Sequence, residues 1–260
     1  MTSPKIPTFY RGGSRFYVHP TSGAKVPGVT SVLNALPKPF LKAWAAKVVA
    51  ENAVAMAADG TLVPMATRDP SGTVDYLKRA PGRSTQHSAD VGTAAHGVFE
   101  MLAKGEPIGR LTDEVDVFRR HFEDFLDVVQ PEILRQEDTV WSETHGYAGS
   151  FDAFGKIEGE PTWIDYKTTR SGVHAEVALQ LSAYAHADYL LDGETGETLL
   201  QPEGERGVVV HVRPEGWALY EVPIGDDVFE HFLYLLRGPF AWEQISRTIV
   251  GRPVLKGAAK

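Results

Sequence analysis

The feature that most limits how this chain can fold is a change of hydrophobic period at Pro131. Before it, apolar residues recur at helical spacing, and the pattern predicts helices over about 41–58, 93–104 and 113–129, the last stopped by Pro131. After it, the period falls to two. Residues 137–143, 147–157 and 162–168 read as three strands separated by glycine-containing turns. A helix over about 175–191 follows, then a hairpin of 208–213 and 217–222 around Pro214, Glu215 and Gly216, then closing helical segments and a loose tail at 257–260. Helix, three strands, helix, strand predicts a mixed α/β core.

The front of the chain adds a further layer. Phe16, Tyr17 and Val18 approach a turn at Pro20–Gly23 and the chain returns through Lys25 and Val26, which predicts a hairpin. Thr30 and Ser31 can cap a short helix carrying Val32, Leu33 and Leu36, broken by Pro37 and Pro39. Residues 59–90 are rich in Gly, Pro, Asp and Ser and read as a loop-rich insertion. The expected organisation is a hairpin-and-helix elaboration over 1–90 and a core with C-terminal helices over 91–260. A length of 260 residues fits one large domain with elaborations.

Composition excludes several chemistries. There is no cysteine, so disulfides, thiolate metal sites, iron–sulfur clusters and thiol nucleophiles are all removed. No apolar run reaches the roughly 18 residues of a membrane span, and the first residues lack the apolar stretch of a secretory signal. The expectation is a cytoplasmic protein without a membrane partner. The net charge is −8, but the first 50 residues hold seven Lys and Arg and no acid. This basic end, with Lys38, Lys42 and Lys47 on the second helix and Lys78, Arg79 and Arg83 further on, offers a surface for a polyanion or a plain solvated face.

Chemistry concentrates in two stretches, Gly149-Ser150-Phe151-Asp152 and Ile164-Asp165-Tyr166-Lys167-Thr168. Asp165 and Lys167 are two apart on a strand and share a face; Tyr166 points to the other. With a turn at Glu158–Pro161, Phe154 would face Asp165 and Asp152 would face Lys167, gathering two carboxylates and an amine. Two adjacent carboxylates repel, and a hard divalent cation relieves the repulsion; oxygen donors suit magnesium or manganese. An Asp–Lys surface pair is the plainer reading of the D-x-K pattern alone. His96 lies near the start of a helix in Gly92-Thr93-Ala94-Ala95-His96, and Gln180 and Tyr184 sit one turn apart on the helix after the strand.

Taken together, the helical His96, the G-x-x-D of Gly149–Asp152, the D-x-K of Asp165–Lys167 and the Q-x-x-x-Y of Gln180–Tyr184 resemble, in order, the motifs of the PD-(D/E)XK nuclease superfamily, in its RecB-type exonuclease branch. The resemblance spans about residues 90–225. VTSVL and LKAWA near the start also look like phage and actinobacterial members. It implies a restriction-endonuclease-like core, a mixed sheet flanked by helices. It implies that His96, Asp152, Asp165 and the Tyr166 carbonyl hold Mg²⁺ or Mn²⁺, that Lys167 is the catalytic lysine, and that Gln180 and Tyr184 contact the lysine, the attacking water or the phosphate. Glu100, Glu143 and Arg170 are weaker candidates, Arg170 as a DNA contact. The branch's four-cysteine iron–sulfur cluster is excluded here.

The expected function is a metal-dependent deoxyribonuclease, an exonuclease acting on DNA ends in recombination, repair or replication in a bacterial or phage-infected cell. Its partners would be DNA and a recombination or replication protein. The alternatives are a nucleic-acid-binding module without turnover and an RNA- or structure-specific endonuclease.

Overall fold

The computed structural model describes residues 6–255 and 257. Lys5 and most of the tail expected at 257–260 lie outside them. The chain opens with three strands, β1 (Thr8–Arg11), β2 (Ser14–Val18) and β3 (Lys25–Pro27), in the order β1-β2-β3. Phe16 pairs with Pro27 and Val18 with Lys25, so the expected hairpin is present with one strand more in front. A single-turn helix α1 (Val29–Leu33) follows, and then α2 (Phe40–Ala58).

Residues 59–90 correct the sequence expectation. They are largely helical: α3 (Leu62–Arg68), α4 (Pro70–Lys78) and the first half of α5 (Ala80–Ala103). The Gly- and Pro-rich composition was read as loop, but its breakers stand at helix starts. Asp69 caps α4 by accepting the Gly72 N–H at 2.9 Å, with Pro70 in the first turn. Pro81 sits in the first turn of α5, where a missing N–H costs nothing. Helix α5 then runs unbroken through 90/91, the boundary expected between elaboration and core.

Helix α6 (Asp113–Val129) matches its predicted span. Val115, Phe118, Phe122 and Phe125 form its buried stripe, three acids occupy its first turn, and Gln130 ends it in the left-handed conformation at φ 49°. Strands β4 (Glu132–Gln136), β5 (Thr139–Ser142), β6 (Tyr147–Ser150), β7 (Ala153–Ile157) and β8 (Glu160–Lys167) come next. Helix α7 (Glu176–Ala185) is shorter than expected, because 189–191 leaves the helix as strand β9 (Tyr189–Leu191), which pairs with β10 (Thr198–Leu200). Strands β11 (Arg206–Arg213) and β12 (Gly216–Val222) form the predicted hairpin. Helix α8 (Asp226–Leu235), a π-helical turn (Leu236–Phe240) and α9 (Ala241–Ile249) close the chain.

The architecture is mixed α/β. A five-stranded sheet runs β12-β11-β8-β7-β4, with β11 parallel to β8 and α7 in the crossover. A four-stranded antiparallel sheet runs β10-β9-β5-β6. On one face of the larger sheet, Ile164, Tyr166 and Val210 pack on Phe99 of α5 and Phe122 of α6. On the other, Trp163 and Val209 pack with Leu181 of α7 and Phe232 of α8. Residues 147–157, expected as one strand, split at Phe151–Asp152 so that β6 belongs to one sheet and β7 to the other.

The hairpin of β7 and β8 turns on two residues, Glu158 at φ 56° and Gly159 at φ 84°, the signature of a type I′ turn. Phe154 therefore pairs with Trp163 and Ala153 with Ile164, a register two residues tighter than expected. Because the shift is even, Asp165 and Lys167 stay on the expected face, but the ladder ends at the Ala153–Ile164 pair, and Asp152 meets β8 through its carboxylate on the Tyr166 N–H rather than by standing opposite Lys167. A Cβ at Gly159 meets open space, so only backbone strain opposes a side chain there. Gly159→Ala should lower stability by about 1–2 kcal/mol, read from urea unfolding.

Candidate active site

Six side chains and two backbone groups meet where the two sheets part. Asp152 lies between β6 and β7, and its Oδ2 accepts the backbone N–H of Tyr166 at 2.7 Å, tying the parting strand to β8. Its Oδ1 lies 3.4 Å from Nδ1 of His96, which α5 brings in from the side. Helix α5 comes close to the end of β8 at Gly92, where a Cβ would stand 3.2 Å from Oγ1 of Thr168, one residue beyond Lys167. Asp165, only 2% exposed, forms an ion pair with Lys167 at 2.5 Å. Lys167 keeps 26% of its side chain open to solvent.

Helix α7 fixes the other oxygen of Asp165. Nε2 of Gln180 donates to Asp165 Oδ1 and to the Tyr184 hydroxyl, both at 3.0 Å, and that hydroxyl donates to the Ser150 carbonyl at 2.9 Å. The chain has one consistent direction. The Tyr184 proton is used on Ser150 and the carboxylate only accepts, so the Gln180 amide must present its nitrogen to both. Tyr184 reaches Ser150 because residue 149 is glycine; a Cβ there would lie 2.6 Å from Tyr184 Cε1 and 3.1 Å from Val29 Cγ2. The glycine of the G-x-x-D pattern thus makes room for the tyrosine of the Q-x-x-x-Y pattern.

The electrostatics separate the two carboxyls. Burial drives the Asp152 pKa up, but His96 and Lys167 outweigh it and bring it down to about 2. For Asp165 burial dominates over the pull of Lys167, and its pKa is raised. Burial also works against the charge of Lys167, but Asp165 and Asp152 prevail and hold it firmly protonated. The Tyr166 side chain lies on the opposite face, 5.0 Å from the Phe122 ring, and burial raises its hydroxyl well above the usual range.

Nδ1 of His96 and the Asp152 carboxylate face each other, and with the ring neutral and its proton on Nε2 both would offer electron pairs to a cation. Nδ1 of His96 is buried and makes no hydrogen bond, which suits a ring nitrogen that ligates a cation. Asp165 would complete an oxygen-rich set only if one of its oxygens turned from Lys167 or Gln180. Among the described residues, no group of three or more His, Asp or Glu side chains is arranged to hold a metal ion.

The expected DNA contacts distribute unevenly. Lys38 pairs with Glu176 at the start of α7, at 3.7 Å, and Glu176 in turn helps keep Lys167 charged. Lys42 and Arg170 are exposed. Lys47 pairs with Glu51 at 3.6 Å. Lys78 and Arg79 are exposed at the end of α4, and Arg83 is folded over the Tyr76 ring at 4.1 Å. Of the weaker candidates, Glu100 binds Lys104 at 2.8 Å and Glu143 accepts from Tyr189 at 2.9 Å.

Sequence reasoning missed a contribution from the front of the chain. Arg15 and Tyr17 of β2 line a narrow cleft with Ser150, Asp152, Gln180 and Tyr184, and Glu137 borders it. The Tyr17 hydroxyl accepts the Ser150 N–H at 3.1 Å. Glu137 is buried, and its N–H reaches the Phe151 and Asp152 carbonyls at 3.1 and 3.3 Å. An isolated arginine or glutamate carries no spacing signal; the packing of β2 on β6 reveals Arg15 and Tyr17, and the link between β4 and β5 brings in Glu137.

No family model matches the chain, and no curated protein does. Among solved structures, that of SSO0001 is similar over 69% of this chain and 69% of its own, at 17% identity and a TM-score of 0.33, too low to carry an argument. Among the described residues no helix is long and apolar enough to cross a membrane.

The Gly149–Tyr184 contact is directly testable. Gly149→Ala should destabilise the protein by about 1–3 kcal/mol, the cost of overpacking a fixed site. Combined with Tyr184→Leu, which removes the tethered ring, the loss should be less than additive in a double-mutant cycle of urea unfolding.

Proposed function

We propose that the protein is a Mg²⁺- or Mn²⁺-dependent nuclease of the PD-(D/E)XK type that hydrolyses phosphodiester bonds of DNA, acting from ends. The observation that carries this reading is the joining of Asp165 to both Lys167 and Gln180 beside the His96–Asp152 pair. A plain surface salt bridge does not need a buried carboxylate held on both oxygens. His96, Asp152, Asp165 and the Tyr166 carbonyl would hold the cation, which when bound supplies Lewis-acid stabilisation of phosphate charge and lowers the pKa of water.

The chain's own residues do the rest. Lys167, kept protonated by Asp165 and Asp152, offsets charge that builds on the phosphate oxygens as water attacks phosphorus, and its open end can reach the substrate. Gln180 fixes the orientation of Asp165, and Tyr184 and Ser150 fix Gln180. His96 and Lys167 keep Asp152 ionised, and the Tyr166 N–H holds its carboxylate in place. Cleavage releases a phosphate monoester and a hydroxyl, and the leaving oxygen takes its proton from solvent.

Asp165→Ala and Lys167→Ala should each keep the circular-dichroism spectrum and reduce cleavage of labelled linear DNA in Mn²⁺ by at least about 10²-fold. Wild-type rates in both variants would discard the site. EDTA should stop turnover. Mn²⁺ should raise the melting temperature of the wild type, and His96→Ala and Asp152→Asn should lose most of that rise.

A further inference from the structure

None of the nineteen residues of α2 is buried, although the helix is rich in apolar side chains. Its partly covered positions, Ala45, Val48, Val49, Asn52, Ala53 and Met56, follow helical spacing and mark the side facing the protein. Phe40, Trp44 and Lys47, at i, i+4 and i+7, share the opposite side. Phe40 is 54% exposed and Trp44 36%. The row starts beside the site. The Phe40 ring lies parallel to that of His174 within 6°, centroids 6.1 Å apart, in the segment between Lys167 and α7. Lys38, just ahead of Phe40, reaches Glu176, which acts electrostatically on Lys167.

We infer that His174, Phe40 and Trp44 form a stacking ladder for the unpaired end of a DNA strand leading to Lys167, with Lys47 on its phosphates. This rests on the nuclease reading above and adds to it the state of the substrate. Phe40 and Trp44 are separated by about 6 Å along the helix, roughly two steps of about 3.4 Å, so each ring can take a base. Aromatic faces accept any base, and lysines beside them neutralise the backbone. Charge favours DNA over a protein partner. The chain carries no acid before Glu51, and lysine is depleted from the cores of protein interfaces. A paired duplex buries the base faces that the rings need.

The experiment measures binding without cleavage. Anisotropy of a fluorescein-labelled oligo(dT), a blunt duplex and an oligo(rU) is recorded in EDTA for the wild type, for Phe40→Ala/Trp44→Ala, and for Phe40→Tyr/Trp44→Phe. The alanine pair should weaken oligo(dT) binding by at least roughly tenfold and leave duplex binding unchanged, while the ring-retaining pair should bind like the wild type. Unchanged oligo(dT) affinity in the alanine pair, or equal loss on duplex, overturns the ladder. Equal affinity for oligo(rU) overturns the assignment to DNA. A wild-type dimer in sedimentation that the alanine pair dissociates assigns the face to a second copy of this chain instead. The two readings fail separately. Ladder-dependent binding without cleavage in Mn²⁺ removes the nuclease and not the ladder, whereas cleavage with ladder variants that bind normally removes the ladder alone.

Discussion

One segment of chain is shared by two sheets, and the site depends on where it passes between them. Strand β6 ends at Ser150 and β7 begins at Ala153, so the two residues between are free of both ladders. Asp152 uses that freedom to point its carboxylate at the Tyr166 N–H and at His96. An unbroken strand would have committed Asp152 to one sheet face and its backbone to one partner. The polar groups the seam leaves over are those that converge: the Ser150 carbonyl takes Tyr184, and the Phe151 and Asp152 carbonyls take the Glu137 N–H. Backbone groups unpaired at a sheet boundary must find partners elsewhere, and here they find the Tyr184 hydroxyl and the Glu137 N–H beside the carboxylates.

Much of this was legible from spacing. The i, i+4 relation of Gln180 and Tyr184 became a shared hydrogen bond, and the alternation of Asp165, Tyr166 and Lys167 placed the charged pair on one face and the tyrosine in the Phe99–Phe122 cluster. Period reports which face a residue occupies, and faces survived even where details did not. The hairpin register was off by two because a two-residue turn needs positive φ at Glu158, and glutamate gives no hint that it will adopt it. The helices over 62–78 were hidden because prolines and glycines at first turns look, in composition, the same as those in loops.

What could not be read was the relation between distant segments. Arg15, Tyr17 and Glu176 are unremarkable locally and matter only because β2 packs on β6 and α2 approaches α7. Gly149 and Gly92 belong between the two cases. Their presence was visible, but the reason for each is a side chain from another element, Tyr184 for one and Thr168 for the other.

The outer layer of α2, α3 and α4 has a different character from the sheets it adjoins. Neither α2 nor α3 has a buried residue, and α4 buries Thr73 alone. Cooperative unfolding couples elements through shared core, and these helices share little. Their amide hydrogens should therefore exchange through local opening, with protection well below that of β8 and β11, whose residues 162–166 and 207–212 are buried throughout. Uniform protection across the two regions in hydrogen–deuterium exchange would contradict this. For the strand end proposed above, a layer that opens on its own would allow entry from the side rather than by threading.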